Sequence, residues 1–149
     1  INTSSRPKTI YGEIIMSKLF SDASNKELIN RICDSTRIEV GGVGLKFDIK
    51  DEEGKIWPAF LIRHKNGLSG YINRCSHLAL ELDWNSGNFF DEDAEFLVCA
   101  THGALYEPDT GSCAGGPCNG RALESLVIEE SEGVVMLNDQ KYTFHQIKK

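Results

Sequence analysis

From Val40 onward, apolar and polar residues alternate in short runs, the period expected of strands with one face against a core. Val43, Leu45, Phe47 and Ile49 interleave with Gly44, Lys46, Asp48 and Lys50, and Asp51-Glu52-Glu53-Gly54 follows as a turn. Residues 56–64 and 68–73 read as two further strands around Lys65-Asn66-Gly67, a hairpin signal. Asn85-Ser86-Gly87 and Asp91-Glu92-Asp93 mark turns, and Phe96-Leu97-Val98 leads directly into Cys99. Residues 126–128 and 134–137 read as returning strands about Ser131-Glu132-Gly133. The expected fold class is therefore all-β, with Trp57 and Phe60 in the core. Residues 1–24 are polar and show no period, so a loose N-terminal tail is expected there. Ser24-Asn25-Lys26-Glu27 has the capping-box pattern, and Leu28, Ile29 and Ile32 share a helical face. One short helix is expected on that basis, although Ile32-Cys33 could equally open the first strand.

Composition adds bounds. A chain of 149 residues, 40% hydrophobic and 26% charged, suits one domain with a sizeable core, taken here as residues 25–149. No apolar run approaches the roughly 20 residues that span a bilayer, and no secretory signal pattern appears. The expectation is a cytoplasmic protein with no membrane partner. Ile1 is not an initiator, and Met16 is a candidate start that would make residues 1–15 dispensable. Between Cys75 and Gly120 there is no Lys or Arg, but there are eight acids: Glu81, Asp83, Asp91, Glu92, Asp93, Glu95, Glu107 and Asp109. These exceed the whole net charge of −6. They argue against nucleic acid, whose phosphates they repel. They fit either a solvated acidic face or docking to a basic patch on a partner.

That acidic stretch contains the chemistry. Cys75-Ser76-His77 and Cys99-Ala100-Thr101-His102 form two clips, C-x-H and C-x-x-H, with twenty-one residues between them. Each clip offers one thiolate and one imidazole, and two loops can close such pairs on one site. Soft sulfur with borderline nitrogen selects zinc, copper or iron–sulfur chemistry over calcium or magnesium. A structural zinc site is the plain alternative, but zinc fingers usually run C-x₂₋₄-C followed by H-x₃₋₅-H, whereas here Cys and His alternate.

The clips resemble those of the Rieske family, in which two Cys hold one iron of a [2Fe–2S] cluster and two His hold the other. Leu78 follows the first His, Gly103 follows the second, and Tyr106 sits four residues after it. Gly115-Gly116-Pro117 stands where the family carries a Gly-Pro loop over the cluster. The resemblance spans about residues 40–138 and is closest to small standalone bacterial Rieske proteins and Rieske-type ferredoxins. It implies an antiparallel β-sandwich base with a smaller inserted cluster-binding subdomain, about 74–121. It also implies one [2Fe–2S] cluster on Cys75, His77, Cys99 and His102. Leu78 and Pro117 would shield the cluster, Gly103 would belong to the cluster-binding loop, and the Tyr106 hydroxyl would reach a ligand. With neutral imidazoles the oxidised centre carries no net charge, so its potential lies above that of plant-type ferredoxins.

Five cysteines need accounting. Quinol-oxidising members of the family carry a disulfide between the clips, but the matching positions here are Leu80 and Thr101. Cys113 and Cys118, five apart, could pair across the lid, but reduced thiols are the expectation in a cytosol. His64 and His145 read as ordinary surface or core residues. The resemblance implies a one-electron carrier between a reductase and an oxygenase or other terminal acceptor, not an enzyme. A small accessory subunit of a larger reductase, such as a nitrite reductase, and a redox sensor are the alternatives. After His102 only one His remains, too few for the iron site of an oxygenase catalytic domain. The sequence leaves the oligomeric state undetermined.

Overall fold

The computed structural model describes residues 30–76, 80–83 and 85–148. The tail and the capping-box residues fall outside that range, as do His77 and Leu78. β1 (Arg31–Asp34) carries Ile32 and Cys33 into the core, so the strand reading holds there, and Asn30 just before it is helical. A single turn of 3₁₀ helix follows at Ser35–Arg37.

β2 (Leu45–Lys50), β3 (Ile56–His64) and β4 (Gly67–Ile72) form an antiparallel meander. It is extended on one edge by β11 (Thr143–Ile147) and on the other by β8 (Ser125–Leu126). The turn before β3 is fixed by Asp51. Its Oδ1 accepts the Glu53 and Lys55 amides at 2.9 Å each, and its Oδ2 accepts the Trp57 indole N–H at 3.0 Å. These bonds hold the Asp51 carboxyl below its usual range, led by the one from Trp57. A second sheet packs β1 against β10 (Val134–Leu137) and β9 (Ile128–Ser131). A third, small sheet joins β5 (Leu97–Val98), β6 (Leu105–Tyr106) and β7 (Cys113–Gly115). The fold is all-β and antiparallel, with one isolated parallel bridge, Val40 to Arg63.

Residues 59–62 of β3 are all buried, because this strand is a wall shared by two cores. Successive side chains point to opposite faces. Ala59 and Leu61 enter a core with Phe47, Ile49, Ile72, Val135 and Leu137. Phe60 and Ile62 enter the other, with Tyr71, Leu82, Phe89, Leu97, Cys75 and Cys99. Phe60 and Phe89 stack at 3.9 Å and 10° there. Trp57 is only half-buried and leans to the first core's rim. Gly70 admits the crossing of β9 over β4, since a Cβ there would lie 2.7 Å from Ile128.

Candidate metal centre

The first clip hangs from the end of β4. The Asn73 amide donates to Pro58 O at 2.8 Å, and the Cys75 amide donates to Leu80 O at 2.7 Å, closing the loop. Asn73 is 1% exposed and anchors the far limb of that loop. Its Oδ1 accepts the Leu82 amide at 2.9 Å, and its Nδ2 donates to Glu81 at 3.1 Å and to Asp83 at 3.0 Å. The Asp83 side chain is wholly buried and pairs with Lys46 at 3.0 Å, while Lys46 also meets Glu81 at 3.2 Å. Burial opposes ionisation of Asp83, but bonds from Asn73, the Gly87 amide and Lys46 outweigh it and hold its pKa below the ordinary value. Burial likewise opposes charge on Lys46, and its two carboxylate partners outweigh that and raise its pKa.

The second clip lies between β5 and β6. The Cys99 amide donates to Ala104 O at 2.8 Å, and the Gly103 amide donates to Cys99 O at 2.8 Å. Gly103 has φ +75°, which lets the loop turn back so tightly. The Ala100 amide donates to Leu82 O at 2.9 Å and so ties the second clip to the first. The lid closes over it, as a 3₁₀ turn at Gly116–Cys118. Gly116 has φ +80°, and a Cβ there would meet Gly103 O at 2.9 Å, so only glycine fits this approach.

The two thiols come together in the apolar interior. Cys75 is 1% exposed and Cys99 is fully buried, and their sulfurs are within hydrogen-bonding reach of each other. Burial raises the Cys99 pKa, as does the Cys75 sulfur, while the Thr101 and His102 amides oppose this by donating to its sulfur. His102 is exposed. Among the described residues, no group of three His, Cys, Asp or Glu side chains converges. The structure therefore joins two of the four sequence-predicted ligands, leaves His102 at the surface, and says nothing of His77. Two buried thiols, with amide donors to Cys99 and the Tyr106 hydroxyl beside Cys75, suit a centre that takes both as thiolates.

Tyr106 is fully buried, and its hydroxyl lies 3.3 Å from Cys75 Sγ and 2.7 Å from Ser76 Oγ. It also accepts the Ser76 amide at 3.1 Å. Burial raises its pKa, and its contact with Cys75 adds to this. Pro117 is exposed at the lid's crest, and Leu78 lies outside the described residues.

Cys113 and Cys118 form a disulfide with a Cα separation of 5.6 Å, so the expectation of two reduced thiols is overturned. The 3₁₀ turn explains it, since it curls the lid until the two Cα atoms come within bridging distance. Cys33, Cys75 and Cys99 remain as thiols.

Several residues of the site were missed by reading the sequence. Asn73 is in phase with buried Tyr71, so a polar residue aimed inward was readable at that position. Ser76, Lys46 and Arg121 carried no such signal. His64 is a buried structural residue: its Nδ1 accepts the Asn66 amide at 3.1 Å, which leaves Nε2 to donate to Ser69 at 2.9 Å.

The family model described as the Rieske [2Fe-2S] domain matches residues 30–138. A search of the curated proteins finds no match. Among solved structures, the chain is similar to the ferredoxin of carbazole 1,9a-dioxygenase from Nocardioides aromaticivorans IC177. Identity is 16% and the TM-score is 0.56, covering 74% of this chain and 96% of that one. It is also similar to a ferredoxin from Sphingomonas yanoikuyae B1, at 19% identity and TM-score 0.54, over 74% and 96% of the two chains. A third similar structure is a complex of reduced oxygenase and oxidised ferredoxin in carbazole 1,9a-dioxygenase. It aligns at 20% identity and TM-score 0.55, over 72% of this chain and 98% of that one.

Proposed function

Because the chain belongs to the Rieske [2Fe–2S] domain family, we propose that it is a ferredoxin-like carrier of single electrons. Its electrons would run from a reductase to an oxygenase or other terminal acceptor. Cys75 and Cys99 hold one iron in this reading, and His77 and His102 hold the other. The cluster supplies a one-electron couple in the range of about −150 to +300 mV. The protein's part is to bury the thiolate side, to bring the Tyr106 hydroxyl to Cys75 Sγ, and to leave an imidazole edge at the surface as the electron's exit. The observation that carries the reading is the last of these: buried sulfurs and an exposed His102 on one pair of loops.

The partner reading rests on the similar ferredoxins, one of them solved with its oxygenase. The acidic residues supply a long-range field that orients the approach of such a partner. Among the described residues no helix is long and apolar enough to cross a membrane. A cytoplasmic location remains part of the proposal, and the lid disulfide is the feature that pulls against it.

Purified protein, reconstituted anaerobically, should be red-brown and hold two irons and two sulfides. Its reduced form should give an EPR signal of low average g, as nitrogen ligation produces. A colourless protein with stoichiometric zinc would overturn the reading. His102→Cys should lower the potential, because it adds a negative ligand.

A further inference from the structure

Of the eight acids that crowd the sequence around the clips, Glu81 and Asp83 stay on the first clip's loop, and most of the others lie away from the clips in space. Glu81 and Asp83 are engaged by Lys46. Asp91 turns inward on its own loop, its Oδ1 accepting the Glu95 amide at 2.8 Å. Asp93, Glu95, Glu107 and Asp109 line a cleft of about 410 Å³ with His64 and Lys65, at the β3–β4 hairpin tip. β4 runs from that tip toward Cys75, a length of roughly 20 Å for its six residues. The Asp91–Glu95 turn precedes β5 and the Glu107–Asp109 turn follows β6, so both lie at the strand ends opposite the second clip.

Two arginines stand beside the first clip as well, while its two acids are paired with Lys46. Arg74 directly precedes Cys75 and is exposed. Arg121 is exposed, and its Nη1 donates to Ser76 O, within the first clip, at 3.2 Å. Next to Arg74 opens a groove of about 540 Å³, floored by Trp57 and Pro58 and walled by Leu80, Asn73 and Glu81, whose carboxylate is paired with Lys46. Lys55 Nζ lies 4.1 Å over the Trp57 ring, and the Arg74 guanidinium lies 6.0 Å from it. Leu80 is 44% exposed.

We infer that the electron-exit end is a cationic collar of Arg74, Arg121 and Lys55 that docks a redox partner through carboxylates around that partner's electron-entry point. The Trp57–Leu80 groove takes an apolar side chain beside those carboxylates. The distal acids, by contrast, orient the approach. A net charge of −6 with a positive tip makes the molecule a dipole whose tip faces an acidic target. This inference rests on the carrier reading for its purpose, but not for its surface chemistry.

The test sets local charge against net charge. One electron from the reduced protein converts ferricyanide to ferrocyanide, or tris(phenanthroline)cobalt(III) to cobalt(II). If the collar governs contact, the ferricyanide rate falls as salt rises, despite the net negative charge. Arg74→Glu should then lower the low-salt ferricyanide rate by about tenfold. Glu92→Lys, a charge change of equal size and opposite sign at the distal turn, should alter it less than twofold. A ferricyanide rate that rises with salt, or equal effects of the two variants, would overturn the collar. A second arm uses a labelled oligo-glutamate and reads its binding by anisotropy, whatever the cluster content. Binding weakened by Lys55→Glu and Arg74→Glu supports the surface, and preferential binding of oligo-lysine at this face refutes it. Loss of the [2Fe–2S] spectrum in wild-type protein would sink the carrier reading alone.

Discussion

The two cores share β3 as a wall, yet they are held together by different means. The core around Phe47 and Leu137 is closed by long antiparallel ladders and apolar contact. The core around Cys75 and Cys99 is bounded by strands of two and three residues. Its loops are fastened one by one: by Asn73, by the Lys46–Asp83 pair, by Tyr106, by the Ala100–Leu82 bond and by the Cys113–Cys118 bridge. A ladder repeats the same bond and tolerates the loss of one. A set of single fasteners places each ligand separately and has no spare. The first arrangement suits a scaffold and the second suits a site whose geometry sets its electronics.

The largest expected effect falls on the scaffold. Phe47→Ala should cost about 3–5 kcal/mol in urea unfolding, because Phe47 is fully buried and lies 6.0 Å from the Phe144 ring. The cluster spectrum of the molecules that still fold should be unchanged. A shifted spectrum would mean that the two cores are not separable across β3. Asn73→Leu should cost less, about 1–3 kcal/mol, since it leaves the Leu82 amide unpaired and Asp83 short of a donor. Here the cluster should also be lost faster to a chelator.

Acid should act at the same place. The folded Asp83 pKa is held below its unfolded value. Its contribution is therefore complete above the ordinary Asp value of about 3.9 and is lost as pH falls through the folded value. Cluster retention should drop there, and Asp83→Asn should flatten that limb. Removing the lid bridge with Cys113→Ser and Cys118→Ser should cost about 2 kcal/mol on chain entropy for so short a loop. Alkylation of unfolded, cluster-free protein should count three thiols without reductant and five with it.

The smallest effect should be the most local. Tyr106→Phe removes one hydrogen bond from the side of Cys75, a loss of about 0.5–1.5 kcal/mol. If that bond favours the reduced cluster, the potential falls by roughly 20–60 mV. Protein-film voltammetry reads this directly, and an unchanged potential would show that other donors set it.

The scaffold was legible because its strands alternate and its turns carry Asp, Asn and Gly. The limits of β3 and the hairpin after it follow from that pattern alone. β11 was not seen, since Thr143, His145 and Gln146 are exposed and its two apolar residues only half-buried. It is a strand because β2 offers it an edge, a fact of tertiary structure. In the site, the clips were legible as spacing, and Tyr106 as a position relative to them. The acidic stretch misled about location. Proximity along the chain put eight carboxylates around the clips, while folding sent four of them to the far cleft. The lid bridge was hidden because spacing alone says nothing of how a loop curls.

β11 also closes the flank of β2, whose inner face carries Phe47 and Ile49. Its own outward side is left to polar residues, and the opposite flank of the sheet is the two-residue β8. An open strand edge is a template on which other chains can add, and natural sheets blunt such edges by shortness or charge. β11 thus covers the β2 edge against chain-on-chain growth. Deleting β11 should therefore expose the β2 edge and raise the tendency to aggregate, read by light scattering.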